Sequence, residues 1–259
     1  MEALEAIFRW THVFAGIIWI GHLYFFNFVN GPFQAKLDGP TKKVVVPELM
    51  PRALYWFRWG AAWTWITGVL ILMLVYYHGQ QAFANGAGWS LEAVVMIAVT
   101  FTAVFIYDAL WKSSLTANLR GAVAVSFAVL AVVVALFHHF AQFSYRGTLI
   151  HTATLLGTTM AFNVWFRIWP AQQKIIRAVK YGETPDANLV KLAGLRSRHN
   201  TYMSLPLLWG MIGQHTTYFG GGNLGIPSNY YYVFFLLLIA AGWHAIFQCY
   251  KKAAKVQGL

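Results

Sequence analysis

Apolar residues run along this chain in blocks of about twenty, the length a helix needs to cross the hydrocarbon of a bilayer. Seven such blocks are legible, at roughly 6–29, 55–77, 91–111, 121–141, 148–169, 201–219 and 229–250. The fifth and sixth are the most interrupted by polar side chains. Polar connections between the blocks are short, with two exceptions. The 30–54 segment, with its prolines and the Val44–Val46 run, is expected to fold as a loop against the helix ends. The 170–198 segment reads as two amphipathic helices broken at Gly182–Asp186, with Asp186 after Pro185 as the N-cap of the second. The pattern predicts an all-α, polytopic membrane helix bundle: a single transmembrane domain over 1–259, with 170–198 as a cytoplasmic amphipathic segment.

Composition agrees with the pattern. Hydrophobic residues make up 58% of the 259 positions and charged residues only 10%, against about 25% charged in a soluble domain. Glu2 and Glu5 stand where a signal peptide would carry basic residues, so the first span is expected to be retained.

The net charge of +11 would suggest nucleic acid if it were clustered on a soluble face. Sorted by alternate connections, it reads as topology instead. The 30–58 region, at the start of the second span, holds Lys36, Lys42, Lys43, Arg52 and Arg58, and Lys112 and Arg120 precede the fourth. Arg167, Lys174, Arg177, Lys180, Lys191, Arg196 and Arg198 lie between the fifth and sixth, and Lys251, Lys252 and Lys255 follow the last. All of these fall on one side, and only Arg9 and Arg146 are left for the other. By the positive-inside rule the first group is cytoplasmic, so the N-terminus is outside and the C-terminus inside. The expected location is the bacterial inner membrane, with the lipid bilayer as partner and no nucleic acid.

Cys249 is the single cysteine. It excludes an internal disulfide or a cysteine-held cluster, and with no C-x-x-C-H there is no c-type haem attachment.

The candidate chemistry lies in the nine histidines. Imidazole inside hydrocarbon needs a partner, and it is a common ligand of haem iron. Under the expected topology His12, His138, His139, His151 and His215 form an outer layer. His22 and His244 form an inner one, with His199 at the cytoplasmic boundary. One or two b-type haems would produce this arrangement, as would one haem plus a quinone or substrate pocket. The bland alternative for each histidine is a hydrogen bond to a neighbouring helix, and for His78, at a loop edge, solvation. Asp108 and Lys112 are spaced for an ion pair, with a proton relay as the sharper alternative. Asn163, inside the fifth span, requires a hydrogen-bond partner. The tryptophans at 56, 59, 63 and 65 and the tyrosines at 230–232 read as interface belts.

Three long strings carry a family resemblance: PELMPRALYWFRWGAAWTWITGVL (47–70), GTTMAFNVWFRIWPAQQKII (157–176) and AGLRSRHNTYMSLPLLWGMIGQH (193–215). With WTHVFAGIIWIG (10–21) and GWHAIF (242–247), they resemble the N-terminal membrane domain of bacterial membrane-bound urate oxidases, the cytochrome c-linked urate hydroxylases. The resemblance implies a membrane oxidoreductase that acts on urate and delivers electrons to a c-type cytochrome. It carries His12, His151, His199, His215 and His244 as matching positions and places no histidine at 22. Those relatives continue through a further span into a fused cytochrome c domain. This chain stops at Leu259 after Lys251 and Lys252, so a short form with a separate c-type cytochrome is expected.

Haem-iron candidates are therefore His12, His151, His215 and His244, with His22 and His199 as further cofactor contacts; an outer haem b would draw its pair from His12, His151 and His215. Two other functions stay open. One is a b-haem electron-transfer subunit of a respiratory or photosynthetic complex, with quinol or a partner subunit as donor. The other is a non-redox solute transporter or assembly scaffold.

Overall fold

The computed structural model describes residues 1–216, 218–220 and 225–256. Residues 217 and 221–224, in and beside a glycine-rich connection, lie outside them, as do the last three residues. The described residues are all-α, without strands. Nine α-helices follow in order: α1 (Glu2–Tyr24), the short α2 (Gly31–Lys36), α3 (Gly39–Ile71), α4 (Leu91–Leu110), α5 (Leu119–His139), α6 (Tyr145–Asn163), α7 (Trp169–Tyr181), α8 (Ala187–Ile212) and α9 (Tyr231–Ala253). Three π-helical stretches, Phe25–Asn30, Leu72–His78 and Val164–Ile168, extend α1, α3 and α6.

Among the described residues, five helical stretches are long and apolar enough to cross a membrane: Glu2–Lys36, Gly39–His78, Leu91–Leu110, Leu119–His139 and Ser228–Ala253. The spans expected at 148–169 and 201–219 fall on α6 and α8, which are helical but do not reach that apolarity.

The 30–54 segment differs from its expected form. Most of it is the beginning of α3, which runs on through Pro47 and Pro51. Asp38 starts this helix by accepting the Thr41 backbone N–H at 2.8 Å, and Pro40 falls in the first turn, where a missing N–H costs nothing. The Thr41 hydrogen bonds hold the Asp38 carboxyl below its usual range. The break at 182–186 is as expected. Gly182 ends α7 with a left-handed φ of 77°, and Asp186 accepts the Asn188 N–H at 2.8 Å ahead of α8.

The chain divides into two compact units. Unit 1 comprises Met1–Leu70, Met160–Leu205 and Gly242–Leu259; unit 2 comprises Ile71–Thr159 and Pro206–Ala241. Within unit 1, α1 and α3 run antiparallel in close contact. Phe26 meets Phe57 edge-on at 5.3 Å, and a side chain on Gly60 would come within 3.0 Å of the Trp19 backbone nitrogen. Gly16 faces Thr64, and Gly68 lies against the His12 ring. Small residues at these points let the two backbones approach. The opposite side of α1, with Ile7, Trp10, Phe14 and Ile17, is exposed and apolar, as a lipid-facing surface requires.

Within unit 2, the connection after α3 is clasped to the start of α6. Phe83 and Phe143 form an isolated antiparallel bridge. Ala84 donates to the Gln142 carbonyl at 3.0 Å and Ser144 to the Ala82 carbonyl at 2.8 Å. Gln80 and Gln142 flank the clasp with left-handed φ of 56° and 53°, a conformation costly for a side-chain-bearing residue. Gly147 is required there, because a Cβ would lie 2.0 Å from the Ala82 carbonyl oxygen.

Candidate functional site

The most polar interior in the chain is built on α8 in unit 1. Arg196, Asn200, Thr201 and Ser204 lie on one face of this helix, spaced by one and two turns, and all have zero exposure. Asn200 accepts a hydrogen bond from the Asn163 amide at 2.9 Å and donates to the Met160 carbonyl at 2.9 Å. Tyr24 and Ser204 share a 2.9 Å hydroxyl contact. Asn27 donates to Ser197 at 2.9 Å and accepts from the Tyr250 hydroxyl at 2.9 Å. The partner that Asn163 needed is thus Asn200. Buried ionisable and amide groups in a membrane protein are expensive, and mark sites for substrates, ions or cofactors. Arg196 and Asn200 escape a reading of the sequence that treats the basic residues of 167–198 as topology charges. The signal that finds them is the polar stripe at 196, 200 and 204, one face of a helix.

His12 and His22, on α1 in unit 1, share one chemical state. Thr67 donates its hydroxyl to the Trp63 carbonyl at 2.6 Å, so its oxygen accepts from His12 Nδ1 at 3.2 Å. His22 Nδ1 lies 2.7 Å from the Ile18 carbonyl, which can only accept. In both rings these partners call for a proton on Nδ1. Axial haem ligation needs that state, with Nδ1–H held by a second group. Lying about 15 Å apart along one helix, they cannot serve the same iron.

His151, in unit 2, is sealed. Its Nδ1 donates to the Gly147 carbonyl at 2.7 Å, and its Nε2 accepts from the Tyr77 hydroxyl at 3.0 Å. Phe143 stacks on the ring at 4.1 Å, Phe137 and Tyr77 each lie at 5.7 Å, and the residue has zero exposure. An iron could reach Nε2 only after Tyr77 and its aromatic neighbours moved. Tyr77 is presented from the π-helical stretch that ends α3.

The remaining histidines differ again. His215 ends a short 3-10 turn and is exposed. His244, on α9, accepts from the Gln248 amide at 3.0 Å and is also exposed. His199 is half-buried between Arg198 and Asn200. His138 and His139 end α5 with their rings 4.6 Å apart, and His139 meets the Tyr232 hydroxyl at 3.1 Å. Among the described residues no group of three or more His, Cys, Asp or Glu side chains converges as a metal site. Asp108 and Lys112 form the expected ion pair at 2.7 Å.

The profile of the family described as Urate oxidase N-terminal matches residues 39–257. No curated protein and no solved structure matches significantly. All of the α8 polar face and seven of the nine histidines, all but His12 and His22, fall inside the matched range. With most of its length in that match, the chain belongs to the urate oxidase N-terminal family.

Proposed function

We propose that this chain is an integral-membrane oxidoreductase of the urate-oxidase kind, passing electrons from urate to a separate c-type cytochrome. The observation that carries the reading is the family match over residues 39–257. In the proposed reaction urate and water give hydroxylated urate, two protons and two electrons; each c-type cytochrome takes one electron.

In this reading the chain is one transmembrane domain of seven spans in the bacterial inner membrane, N-terminus outside and C-terminus inside. The charge distribution supports that topology. So do the lengths of α6 and α8, whose polar side chains are largely enclosed by protein, where a span tolerates them. Urate is an anion near neutral pH and needs a cation with amide donors and acceptors. Arg196, Asn163 and Asn200 place a cation and two amides inside unit 1, enclosed by protein. Arg9 pairs with Glu5 at 2.8 Å, and exposed Arg146 reaches the Gln81 side chain at 3.3 Å.

His12 and His22, whose Nδ1 atoms contact Thr67 and the Ile18 carbonyl, are the residues that would hold haem b in this reading. Bound there, haem would supply a one-electron carrier between a two-electron donor and a one-electron acceptor. Thr67 and the Ile18 carbonyl orient the rings and raise their basicity. His244, on α9 of unit 1, would be a further iron-ligand candidate, and His199, beside Arg198, a further cofactor contact; His215, in unit 2, is a separate candidate. His151 serves this reading as a positioning residue that holds the clasp of unit 2.

A pyridine-haemochrome spectrum of the purified chain tests the cofactor. A b-type spectrum is expected, weakened or shifted in His12→Ala and in His22→Ala and unchanged in His78→Ala. A wild-type chain purified from haem-replete cells without b-type absorbance would remove haem from the account.

A further inference from the structure

Four cations of unit 1 share two properties. Arg58, Arg167, Arg198 and Lys251 each border a stretch without Asp, Glu, Lys or Arg: 59–91, 147–166 and 199–250. Each also lies over an aromatic ring. Arg58 is 4.1 Å from the Trp169 ring centroid, Lys251 4.6 Å from Phe247, Arg167 5.1 Å from Phe162 and Arg198 5.7 Å from Tyr250. The last charge before an uncharged span marks the headgroup level of the bilayer.

Arg58 is the most elaborated of the four. Its guanidinium also lies 5.7 Å from Trp165 and 5.8 Å from Tyr55, and Trp165 donates its indole N–H to the Arg58 carbonyl at 3.1 Å. Trp59 packs edge-on against Trp165 at 5.5 Å. The side chain is thus held in one plane by aromatic walls from α3 and α7 and from the π-helical stretch between α6 and α7. Its Nε is buried and has no hydrogen-bond partner. A buried, unsatisfied donor on a guanidinium costs stability unless an acceptor arrives. Tyr55, Trp56 and Trp59, next to it, are each at least 40% exposed, which offers an amphipathic rim of the kind found at the interface.

We propose that Arg58 and its aromatic walls bind the phosphodiester of an anionic phospholipid. A fixed, planar guanidinium matches two phosphate oxygens. The indoles hold the glycerol region beside it, and the exposed apolar flank of α3 meets the acyl chains. The site is independent of urate and of haem, and its ligand is a component of the surrounding membrane.

Native mass spectrometry of the full chain in non-ionic detergent, titrated with phosphatidylglycerol, tests this. The wild type should retain one phosphatidylglycerol in preference to phosphatidylcholine. Arg58→Gln should bind it about tenfold more weakly, the worth of one charge-assisted hydrogen bond. Trp169→Leu keeps the charge and loses the stacked wall, and should weaken binding by a smaller factor. It also keeps the test decisive if Arg58→Gln does not fold. Lys174→Gln, an exposed basic residue on α7, should bind as wild type. Equal affinity for the two lipids, equal affinity in wild type and Trp169→Leu, or displacement of the lipid by inorganic phosphate at matched concentration would overturn the proposal.

Discussion

The two units hold their helix histidines in different ways. In unit 2, both nitrogens of His151 are satisfied and three aromatic rings pack on it, so the imidazole behaves as a piece of the core. In unit 1, His12 and His22 are each held through Nδ1 by a hydroxyl or a carbonyl. Charge divides in the same direction. Unit 2 holds only Lys112, Arg120 and Arg146 of the 19 basic residues; unit 1 holds the rest and buries Arg196 completely. Residue type alone therefore does not tell a histidine bonded through both nitrogens from one held through Nδ1. The partner of the second nitrogen does.

Substitutions can break or sharpen that contrast, and the largest effect belongs to the clasp of unit 2. Gly147→Ala places a methyl 2.0 Å from the Ala82 carbonyl oxygen, an overlap neither backbone can relieve locally. We expect more than about 3 kcal/mol of destabilisation, read as a large fall in the thermal midpoint in detergent. A midpoint within a degree or two of wild type would mean that the clasp is not closed.

Asn200→Ala in unit 1 removes the bridge between the Asn163 amide and the Met160 carbonyl. The loss should be about 2 kcal/mol, in line with two buried hydrogen bonds whose groups find partial compensation in a membrane. Denaturant titration against wild type checks it.

Tyr77→Phe deletes the hydroxyl that saturates His151 Nε2 and should cost about 1 kcal/mol. It sharpens the comparison, because His151 Nε2 then loses its hydroxyl partner. Diethylpyrocarbonate modification of His151 should remain slow in both proteins, since the enclosing rings persist. Fast modification in wild type would show that the pocket opens.

Much of this was legible in the sequence. Hydrophobic blocks located the helices, Pro185–Asp186 located the start of α8, and the i,i+4 spacing located the Asp108–Lys112 pair. Two features were not. The helical path of 39–54 was hidden because proline argues against helix locally, while here Pro40 occupies a first turn and Pro47 and Pro51 are accommodated in the body of α3. The fate of His151 was hidden because its second partner, Tyr77, is distant in sequence and is aimed by a π-helical stretch that no local propensity reveals. Likewise, counting Arg58 and Arg196 as topology charges conceals that one is walled by aromatics and the other wholly enclosed.

A smaller effect, of opposite sign, comes from the strained ends of the clasp. Gln142→Gly relieves a left-handed φ of 53° and should stabilise by up to about 1 kcal/mol, read as a raised thermal midpoint. A lowered midpoint would mean that the Gln142 side chain contributes more than its backbone costs.

The smallest effect concerns Asp38, which caps α3. Its carboxyl is held below the usual range by Thr41, so its contribution is present above the unfolded-state value and lost as the pH falls through the folded one. Asp38→Ala should lower the thermal midpoint slightly at neutral pH, and the difference from wild type should vanish in acid. A difference that grew on acidification would contradict the capping role.

The central claim is electron transfer from urate through this chain, and the most direct measurement is anaerobic. Urate is added to the purified chain with an oxidised c-type cytochrome, and the cytochrome spectrum is followed with and without the chain. The account predicts cytochrome reduction that requires both urate and the chain and is lost in Arg196→Met. No reduction by urate, together with rapid reduction by a quinol, would contradict it and mark the chain as an electron-transfer subunit.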